Sequence, residues 1–426
     1  MSSTSAEQPH DAWSAEDAER YLLAQERFGM HFGLDRMHRL LNALELPVVS
    51  FPTIHVVGTN GKSSTTRMIA ALLERHGLRT GCFTSPHLLS YRERVQIGER
   101  DISPEAFAAA VARTVHGAEL VDRTSSPAGD VVTQFELLTA AALCEFEAAG
   151  VDVAVLEAGL GGRYDATNVV DSRVAVLTNV GLEHTRYLGP TVTDIAREKL
   201  DVLRPGATLV LGPGIDHDAL AVAHATVAER GASLLHAQAE VGVELRAGGG
   251  YQSRNFSTAA SAARVFLGRE LDPGSVAAAA RALVVPGRFQ VLEGAPVTLL
   301  DGAHNDGGIE ALADSLPGFT AGRRLVAVVS ILDDKDAAGM LRRLLVHCDA
   351  VVCTACTSPR ALPAATLASL VGQIGDVGAT VVRGPHRALA RAREEAGADG
   401  VVLATGSIYL IADLLRPEGA PGGSKL

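Results

Sequence analysis

The segment His55–Gly77, HVVGTNGKSSTTRMIAALLERHG, runs from apolar residues through a glycine-containing turn into a helical pattern. In phosphate-binding loops, glycines let backbone N–H groups turn inward, a lysine neutralises phosphate, and a neighbouring hydroxyl reaches Mg²⁺ at a helix N-terminus. Those groups are supplied here by Gly58, Gly61, Lys62, Ser63 and Ser64. The segment therefore predicts a strand over 53–57, a phosphate-binding turn, and a helix that begins near Ser63.

The spacing of this turn leaves a second interpretation open. The position six residues before Lys62 is Val56, so the sequence matches GxxGK and not the longer pattern GxxxxGK[ST]. A strand-to-helix turn that is capped by Asn60 or Ser63, with Lys62 in solvent, fits the same letters. Residues elsewhere in the chain have to decide between a phosphate site and a helix cap.

Length and composition favour a two-domain cytoplasmic protein. The 426 residues exceed one ordinary core, and the formal charge of -11 argues against a general affinity for nucleic acid or anionic membrane. We find no run of 18 apolar residues and no basic, apolar leader at the start. Five cysteines are an odd, sparse set that favours reduced thiols, and the one CxxC, Cys353 to Cys356, lacks the second pair of a structural zinc site.

Short β-branched runs alternate with segments of helical period, which predicts an α/β fold with a mostly parallel sheet and helices on both faces. The candidate strands are 53–57, 151–157, 173–180, 207–212, 297–302, 324–330, 350–355, 379–384 and 400–406. The segment 240–257 has neither period and indicates a hairpin or a loop.

Prolines and glycines interrupt the pattern before the strand at 297, which predicts a domain boundary there. We expect a P-loop domain over 16–294 and a smaller Rossmann-like α/β domain over 295–416. The ends, 1–15 and 417–426, are polar or rich in Pro and Gly and are predicted to be disordered. The final Ser-Lys-Leu matches a peroxisomal address, which we interpret as a chance match on a tail.

Polar residues follow several predicted strands. Glu157 ends one of them and His184 follows the next, so both are predicted to meet the phosphate loop at the carboxyl edge of a parallel sheet, where they suit Mg²⁺. Taken alone, His184 fits a structural histidine at least as well. The spacing of the RExK run leaves Lys199 on a solvated helix face. A second polar cluster, Asp301 to Asn305, follows the strand at 297.

Together these residues resemble the folylpolyglutamate synthase/dihydrofolate synthase family of the Mur ligase superfamily. The resemblance covers nearly the whole chain. It rests on ten motifs in the family's order: HVVGTNGKSS, TSPHL, YRERVQI, LEAGLGGRYDATNVV, TNVGLEHTRYLG, REK, VPGRF, DGAHN, DKD and TGSIYL.

The resemblance implies an ATP-dependent ligase that adds L-glutamate to folate, dihydropteroate or both through an acyl phosphate, with release of ADP and phosphate. It implies ATP and Mg²⁺, with one or two ions, as cofactors and a monomer that binds small molecules. Two alternatives stay open: a Mur-type ligase for another carboxylate, and an ATP-binding relative without turnover. A small-molecule kinase would also be compatible with the loop.

The same resemblance assigns roles by motif. ATP would be bound by Gly58, Thr59, Asn60, Gly61, Lys62, Ser63, Ser64, Asn255, Arg288 and Asp301. The metal ligands would be Ser85, Glu157 and His184. Ser63 is a further candidate, because it supplies a hydroxyl where the family commonly has glycine. The catalytic residues would be Lys62, Lys199 and His304, with Lys199 carbamylated as in many relatives. The substrates would contact Asp165, Ala166 and Thr167 on the pterin side and Ser407 and Tyr409 on the glutamate side.

Two further departures from the family pattern carry expectations. Glu183 stands where an aspartate is usual beside the histidine, which gives a longer arm with the same charge. Asp201 follows Lys199 closely where the family has small residues, and we expect its charge to alter the field at the lysine.

Overall fold

The computed structural model describes residues 13–25, 33–124 and 131–418. They form two compact units: the first contains the chain up to Gln238 together with Thr258–Ser275, and the second contains Ala239–Ser257 and the chain from Val276 onward. The second unit thus includes residues that precede 294, where we predicted the domain boundary. The domain bounds themselves stay a prediction. The terminal segments predicted to be disordered fall almost entirely outside the described residues.

An eight-stranded sheet organises the first unit. Its strands are β1 Thr53–Val57, β2 Thr80–Phe83, β3 Val95–Ile97, β4 Arg100–Asp101, β5 Val153–Glu157, β6 Ser172–Leu177, β7 Thr208–Leu211 and β8 Ser233–His236. The order is β4-β3-β2-β5-β1-β6-β7-β8, in which the β2–β3 and β3–β4 pairs are antiparallel and the other pairs are parallel. Val56 pairs with Glu157 on one side and Val176 on the other, so the central strands end at one edge.

Helices cover both faces of this sheet, which is why β1 and β5 are buried along their whole length. The helices are α1 Ala15–Gln25, α2 Asp35–Ala43, α3 Lys62–Arg75, α4 Pro104–Thr124, α5 Gln134–Ala149, α6 Thr185–Leu188, α7 Val192–Leu200 and α8 His217–Glu229, with 3-10 turns at Tyr91–Arg94 and Ala166–Val169. One core includes Phe83, Leu138 and Phe146, and a second includes Leu177, Leu200 and Leu209.

The second unit has a six-stranded sheet of its own. Its strands are β9 Gln290–Leu292, β10 Val297–Leu300, β11 Leu325–Val329, β12 Ala350–Cys353, β13 Gly378–Val381 and β14 Val401–Thr405, in the order β13-β12-β11-β14-β10-β9. Only β9 is antiparallel to its neighbour among these described strands. The remaining helices are α9 Gly250–Leu267, α10 Pro273–Ala282, α11 Asp306–Ala313, α12 Leu316–Thr320, α13 Ala337–Leu345, α14 Ala364–Ile374, α15 Pro385–Ala396 and α16 Ile408–Leu415.

The α/β prediction with two mostly parallel sheets is confirmed, and each of the nine candidate strands overlaps an observed strand. The segment 240–257, predicted to be a hairpin or a loop, is a loop only as far as residue 249: no strand forms there, and α9 begins at Gly250. Among the described helices, none is long and apolar enough to cross a membrane.

Candidate active site

The turn between β1 and α3 is built around two glycines with positive φ. Gly58 has φ 152° and Gly61 has φ 81°, conformations that side chains with a Cβ adopt poorly. A Cβ on Gly58 would lie 1.9 Å from Thr178 Oγ1, so alanine does not fit there. Glycine is therefore required both for the backbone path and for the close approach of the strand beside it.

Thr178 and Asn179, which follow β6, hold this turn by hydrogen bonds to its backbone. Thr178 Oγ1 donates to Asn60 O at 2.6 Å, and Asn179 Oδ1 accepts from Asn60 N at 2.8 Å. Asn179 O also accepts from Thr59 N at 3.1 Å. Sequence reasoning assigned no role to Thr178 or Asn179, although their place at the carboxyl end of a buried strand is the signal that singled out Glu157.

The helix-cap interpretation of this turn is wrong. Gly61 is the N-cap of α3 and makes no side-chain capping hydrogen bond within the described structure. Lys62 is not extended into solvent, because its Nζ donates to Gly58 O at 3.1 Å and Thr59 O at 3.2 Å. A helix N-terminus without a side-chain cap, beside a lysine, is a ready site for an anion.

A carboxylate and two serines meet at the first turn of α3. Glu157 ends β5 and is 1% exposed. Its Oε1 accepts from the Ser63 hydroxyl at 2.9 Å, and its Oε2 accepts from Ser85 N at 2.9 Å. The Ser63 hydroxyl is also 3.4 Å from Ser85 O. The structure thus brings together three of the four predicted metal ligands, all of them oxygen donors of the kind that Mg²⁺ prefers.

His184, the fourth predicted ligand, lies on the loop after β6 at the same edge of the sheet. It has φ 52° and is the N-cap of α6. Its Nε2 is 4.0 Å from Glu183 Oε1, and its side chain is 41% exposed. Among the described residues, no group of three or more His, Cys, Asp or Glu side chains is arranged to hold a metal ion. A cation at Glu157 would therefore need hydroxyl, phosphate or water oxygens as further ligands.

Lys199 is buried against the phosphate loop, so its predicted position on a solvated face is wrong. Its side chain lies on the apolar side of α7, with Ile195 one turn before it, and the residue is 4% exposed. Its Nζ donates to Gly58 O at 2.9 Å, which is the same carbonyl oxygen that accepts from Lys62. The resemblance assigns this lysine to the catalytic residues, and that role stays a prediction.

The charge of Lys199 is strongly disfavoured in this position. Burial, and next the ammonium of Lys62, lower the pKa of Lys199 to about 7, against a smaller opposing effect of Glu183 and Asp165. Asp201 is engaged instead with Arg230 at 2.5 Å and Arg163 at 3.4 Å. Burial and Lys62 therefore determine the pKa of Lys199, and Asp201 does not, contrary to our expectation.

Replacement of Lys199 by methionine should stabilise the protein relative to wild type near pH 6 and much less near pH 10. An unfolded lysine titrates near 10.5 and the folded one near 7, so wild type loses up to about 5 kcal/mol below pH 7 and regains it as pH rises to 10.5. The measurement is the difference in melting temperature between variant and wild type from pH 6 to pH 10. Arg197→Met, on the exposed face of the same helix, is the matched control, and a difference that does not vary with pH would contradict the assignment.

The three predicted pterin-side residues lie in a buried turn. Asp165, Ala166 and Thr167 are 6%, 5% and 0% exposed. Asp165 accepts from Leu160 N at 2.8 Å and from the Thr167 hydroxyl at 2.5 Å. Burial raises the pKa of Asp165, whereas these hydrogen bonds lower it. Contact of these side chains with a substrate stays a prediction.

In the second unit, Asp301 is a buried acceptor at the carboxyl end of β10. It is 2% exposed and accepts from Tyr251 Oη at 2.5 Å, from Phe289 N at 2.9 Å and from Ala303 N at 2.8 Å. Burial raises the pKa of Asp301, and the nearby Arg288 guanidinium opposes that shift. A Cβ on Gly302 would lie 2.8 Å from Arg288 Nη1, so glycine makes room for this arginine.

The other predicted residues of the second unit are placed as follows. Asn255 Nδ2 donates to Gln252 Oε1 at 3.0 Å on α9, and His304 Nδ1 is 3.0 Å from Gly302 O. Ser407 is 1% exposed and caps α16 by accepting from Tyr409 N at 3.2 Å. Arg360 Nη2 is 3.5 Å from Tyr409 Oη, an arginine that sequence reasoning missed because nothing in its local sequence marks it.

Comparison with known proteins shows which proteins this chain is similar to. Residues 56–211 match the Mur ligase middle domain, and residues 287–408 match the Mur ligase glutamate ligase domain. The dihydrofolate synthase/folylpolyglutamate synthase of Mycobacterium tuberculosis is 37% identical over 80% of this chain and 77% of its own.

Solved structures of related proteins have a similar fold over nearly the full length of this chain. The Mycobacterium tuberculosis folylpolyglutamate synthase complexed with ADP has a TM-score of 0.86 at 32% identity, covering 95% of this chain and 100% of that one. The Yersinia pestis bifunctional folylpolyglutamate synthase/dihydrofolate synthase complexed with AMPPNP and Mn ion has a TM-score of 0.82 at 30% identity, covering 96% and 99%. The chain, which carries the two Mur ligase domains, belongs to the dihydrofolate synthase/folylpolyglutamate synthase family.

Proposed function

We propose that this protein is an ATP-dependent ligase that joins L-glutamate to folate, dihydropteroate or both. An oxygen of the acceptor carboxylate attacks the γ-phosphorus of ATP, and the bond to ADP breaks. The glutamate nitrogen then attacks the acyl carbon, phosphate leaves, and the amine loses a proton. The observation that carries the proposal is the helix terminus without a side-chain cap, flanked by Lys62, Ser63 and Glu157, in a member of this family.

The first unit supplies the phosphate site. The N–H groups of the loop 58–64 bind the triphosphate, and Lys62 exchanges the carbonyl oxygens of Gly58 and Thr59 for phosphate oxygens. Positioning and fixed positive charge are the main means of catalysing phosphoryl transfer. Lys199 stays on Gly58 O, where its low pKa gives the neutral amine that carbamylation requires.

The oxygen donors beside the loop fit a divalent cation. Ser63, Ser85 and Glu157, with His184 on the adjoining loop, would hold Mg²⁺, which neutralises developing phosphate charge when bound. The chain's own contribution is to hold the Glu157 carboxylate in place, through Ser85 N and the register of β5 with β1.

In the second unit, we assign Asn255, Arg288 and Asp301 to the nucleotide and His304 to the catalytic residues. Ser407 and Tyr409 are assigned to the incoming glutamate. Both substrates are anionic and the chain carries a formal charge of -11, so a local cationic surface is needed. Arg288 beside Gly302 and Arg360 beside Tyr409 provide it.

The proposal extends to a cytoplasmic monomer. All five cysteines are free and buried, as expected of a protein kept in a reducing compartment. Sedimentation of the purified chain would test the monomer.

The decisive experiment is ADP release by purified protein with ATP, Mg²⁺ and glutamate, with dihydropteroate, tetrahydrofolate or no acceptor, followed by mass spectrometry. We expect acceptor-dependent ADP release and the gain of one glutamyl residue on the acceptor, and the comparison of acceptors shows which activities are present. ADP release that needs no amine would indicate a kinase. Nucleotide binding without acceptor-dependent turnover would indicate another carboxylate substrate or a protein that only binds ATP.

A further inference from the structure

A buried row of polar side chains connects the central strand of the first unit with the loop after Glu157. His55 lies in the middle of β1 and is 0% exposed, as is Thr167. His55 Nε2 is 2.8 Å from Thr167 Oγ1, and the Thr167 hydroxyl donates to Asp165 Oδ1 at 2.5 Å. We call His55, Thr167 and Asp165 the buried relay.

The direction of the hydrogen bonds follows from the donors that reach Asp165. Its Oδ1 also accepts from Thr167 N at 3.0 Å and its Oδ2 from Leu160 N at 2.8 Å, so both oxygens act as acceptors. Since the Thr167 hydroxyl hydrogen points to Asp165, the hydroxyl oxygen accepts from His55, which therefore carries its proton on Nε2.

The other ring nitrogen agrees with this tautomer. Nδ1 of His55 has no hydrogen-bond partner among the described residues. An unpaired buried acceptor is tolerated better than an unpaired buried N–H. Burial, with a smaller effect of Arg204, lowers the pKa of His55 to about 3, so the ring stays neutral at physiological pH.

The buried relay anchors the loop 158–165, which packs against α6 and α7 and has an exposed tip. Gly161 and Gly162 approach α6 and α7 so closely that an added Cβ would lie 2.9 Å from Leu188 Cδ2 and 2.6 Å from Lys199 O. Tyr164 at the tip is 46% exposed, with the Arg163 guanidinium 5.9 Å from its ring centroid. The loop thus presents an aromatic ring at the edge of the sheet where the phosphate loop lies, a surface suited to an aromatic, anionic acceptor.

We propose that His55 and Thr167 are positioning residues for the acceptor: through Asp165 they fix the loop 158–165 in the form that binds the folate or dihydropteroate. This inference rests on the proposed ligase activity. The nucleotide loop has separate supports in Thr178 and Asn179, and the glutamate residues belong to the second unit. Loss of the relay should therefore weaken acceptor binding selectively.

The test compares Thr167→Val, which keeps the shape and removes the hydroxyl, with Thr167→Ser, which keeps the hydroxyl. We expect the KM for the acceptor to rise about tenfold in Thr167→Val and to rise far less in Thr167→Ser, while the KM values for ATP and glutamate stay within about twofold in both. A second pair keeps the test open if valine prevents folding: His55→Gln retains an N–H donor, and His55→Leu removes it.

Hydrogen exchange of residues 158–167 without ligands gives a readout independent of turnover. We expect faster exchange in Thr167→Val and His55→Leu than in Thr167→Ser and His55→Gln. Equal exchange within each pair, or a uniform change in all three KM values, would overturn the inference. If wild type acts on neither acceptor, the proposed function fails, whereas the exchange data still decide whether the relay anchors the loop.

Discussion

Replacement of Lys62 by alanine should reduce acceptor-dependent ATP turnover by about a thousandfold. The ammonium is the cation held directly over the loop carbonyls at the start of α3, and neither water nor alanine can neutralise a transferring phosphoryl group in its place. That loss corresponds to about 4 kcal/mol of transition-state stabilisation. Steady-state ADP release and titration with ADP would separate the effect on turnover from the effect on binding.

The matched control for this variant is Arg75→Ala at the other end of α3. It removes the same charge from the same helix, and its ion pair with Glu99 is partly exposed and contributes little to stability. Both variants should give the circular dichroism spectrum of wild type. Turnover near the wild-type rate in Lys62→Ala would remove the phosphate-site assignment, and with it the centre of the proposed mechanism.

Replacement of Glu157 by glutamine should lower turnover by on the order of a hundredfold and raise the Mg²⁺ concentration for half-maximal activity more than about tenfold. Glutamine keeps the shape, because its carbonyl can accept from Ser85 N while the Ser63 hydroxyl turns to accept from the amide. The variant therefore removes the negative charge and leaves the packing of β5 in place.

The control for the lost charge is Glu99→Gln, which changes charge equally at a carboxylate that pairs with Arg75, away from the site. Activity is measured over a Mg²⁺ titration and repeated with Mn²⁺. An unchanged cation dependence in Glu157→Gln would show that Glu157 is not a metal ligand, even if the rate fell.

Much of the scaffold could be predicted from the sequence because buried parallel strands are continuous apolar runs. The strand 53–57 was predicted to the residue. Strands β3, β4 and β9 were missed because strands of three or two residues carry too few side chains to show a period. The buried β2, TGCF, was missed because its threonine and glycine leave it without an apolar run. The half-exposed β8 was missed for a related reason, since it lacks the buried run of the central strands.

The site was harder to predict where a polar side chain lies on an apolar face. Lys199 follows Ile195 by four residues, a spacing that places both on the buried side of α7. The charged neighbours of Lys199 concealed that spacing. His55 was missed for the opposite reason, because a histidine inside a strand of apolar residues carries no sign that its ring is bonded to a turn more than a hundred positions later.

The carbonyl oxygen of Gly58, which accepts from both Lys62 and Lys199, has a consequence for the affinity of the phosphate site. A lysine side chain that is free in solution loses about 2 kcal/mol of rotamer entropy when a ligand fixes it. In this protein the loop's own oxygen already holds both chains, so that loss occurs when the protein folds. Phosphate binding by Lys62 then exchanges one oxygen acceptor for another in a preorganised site, at a smaller entropic cost, while Lys199 stays on Gly58 O.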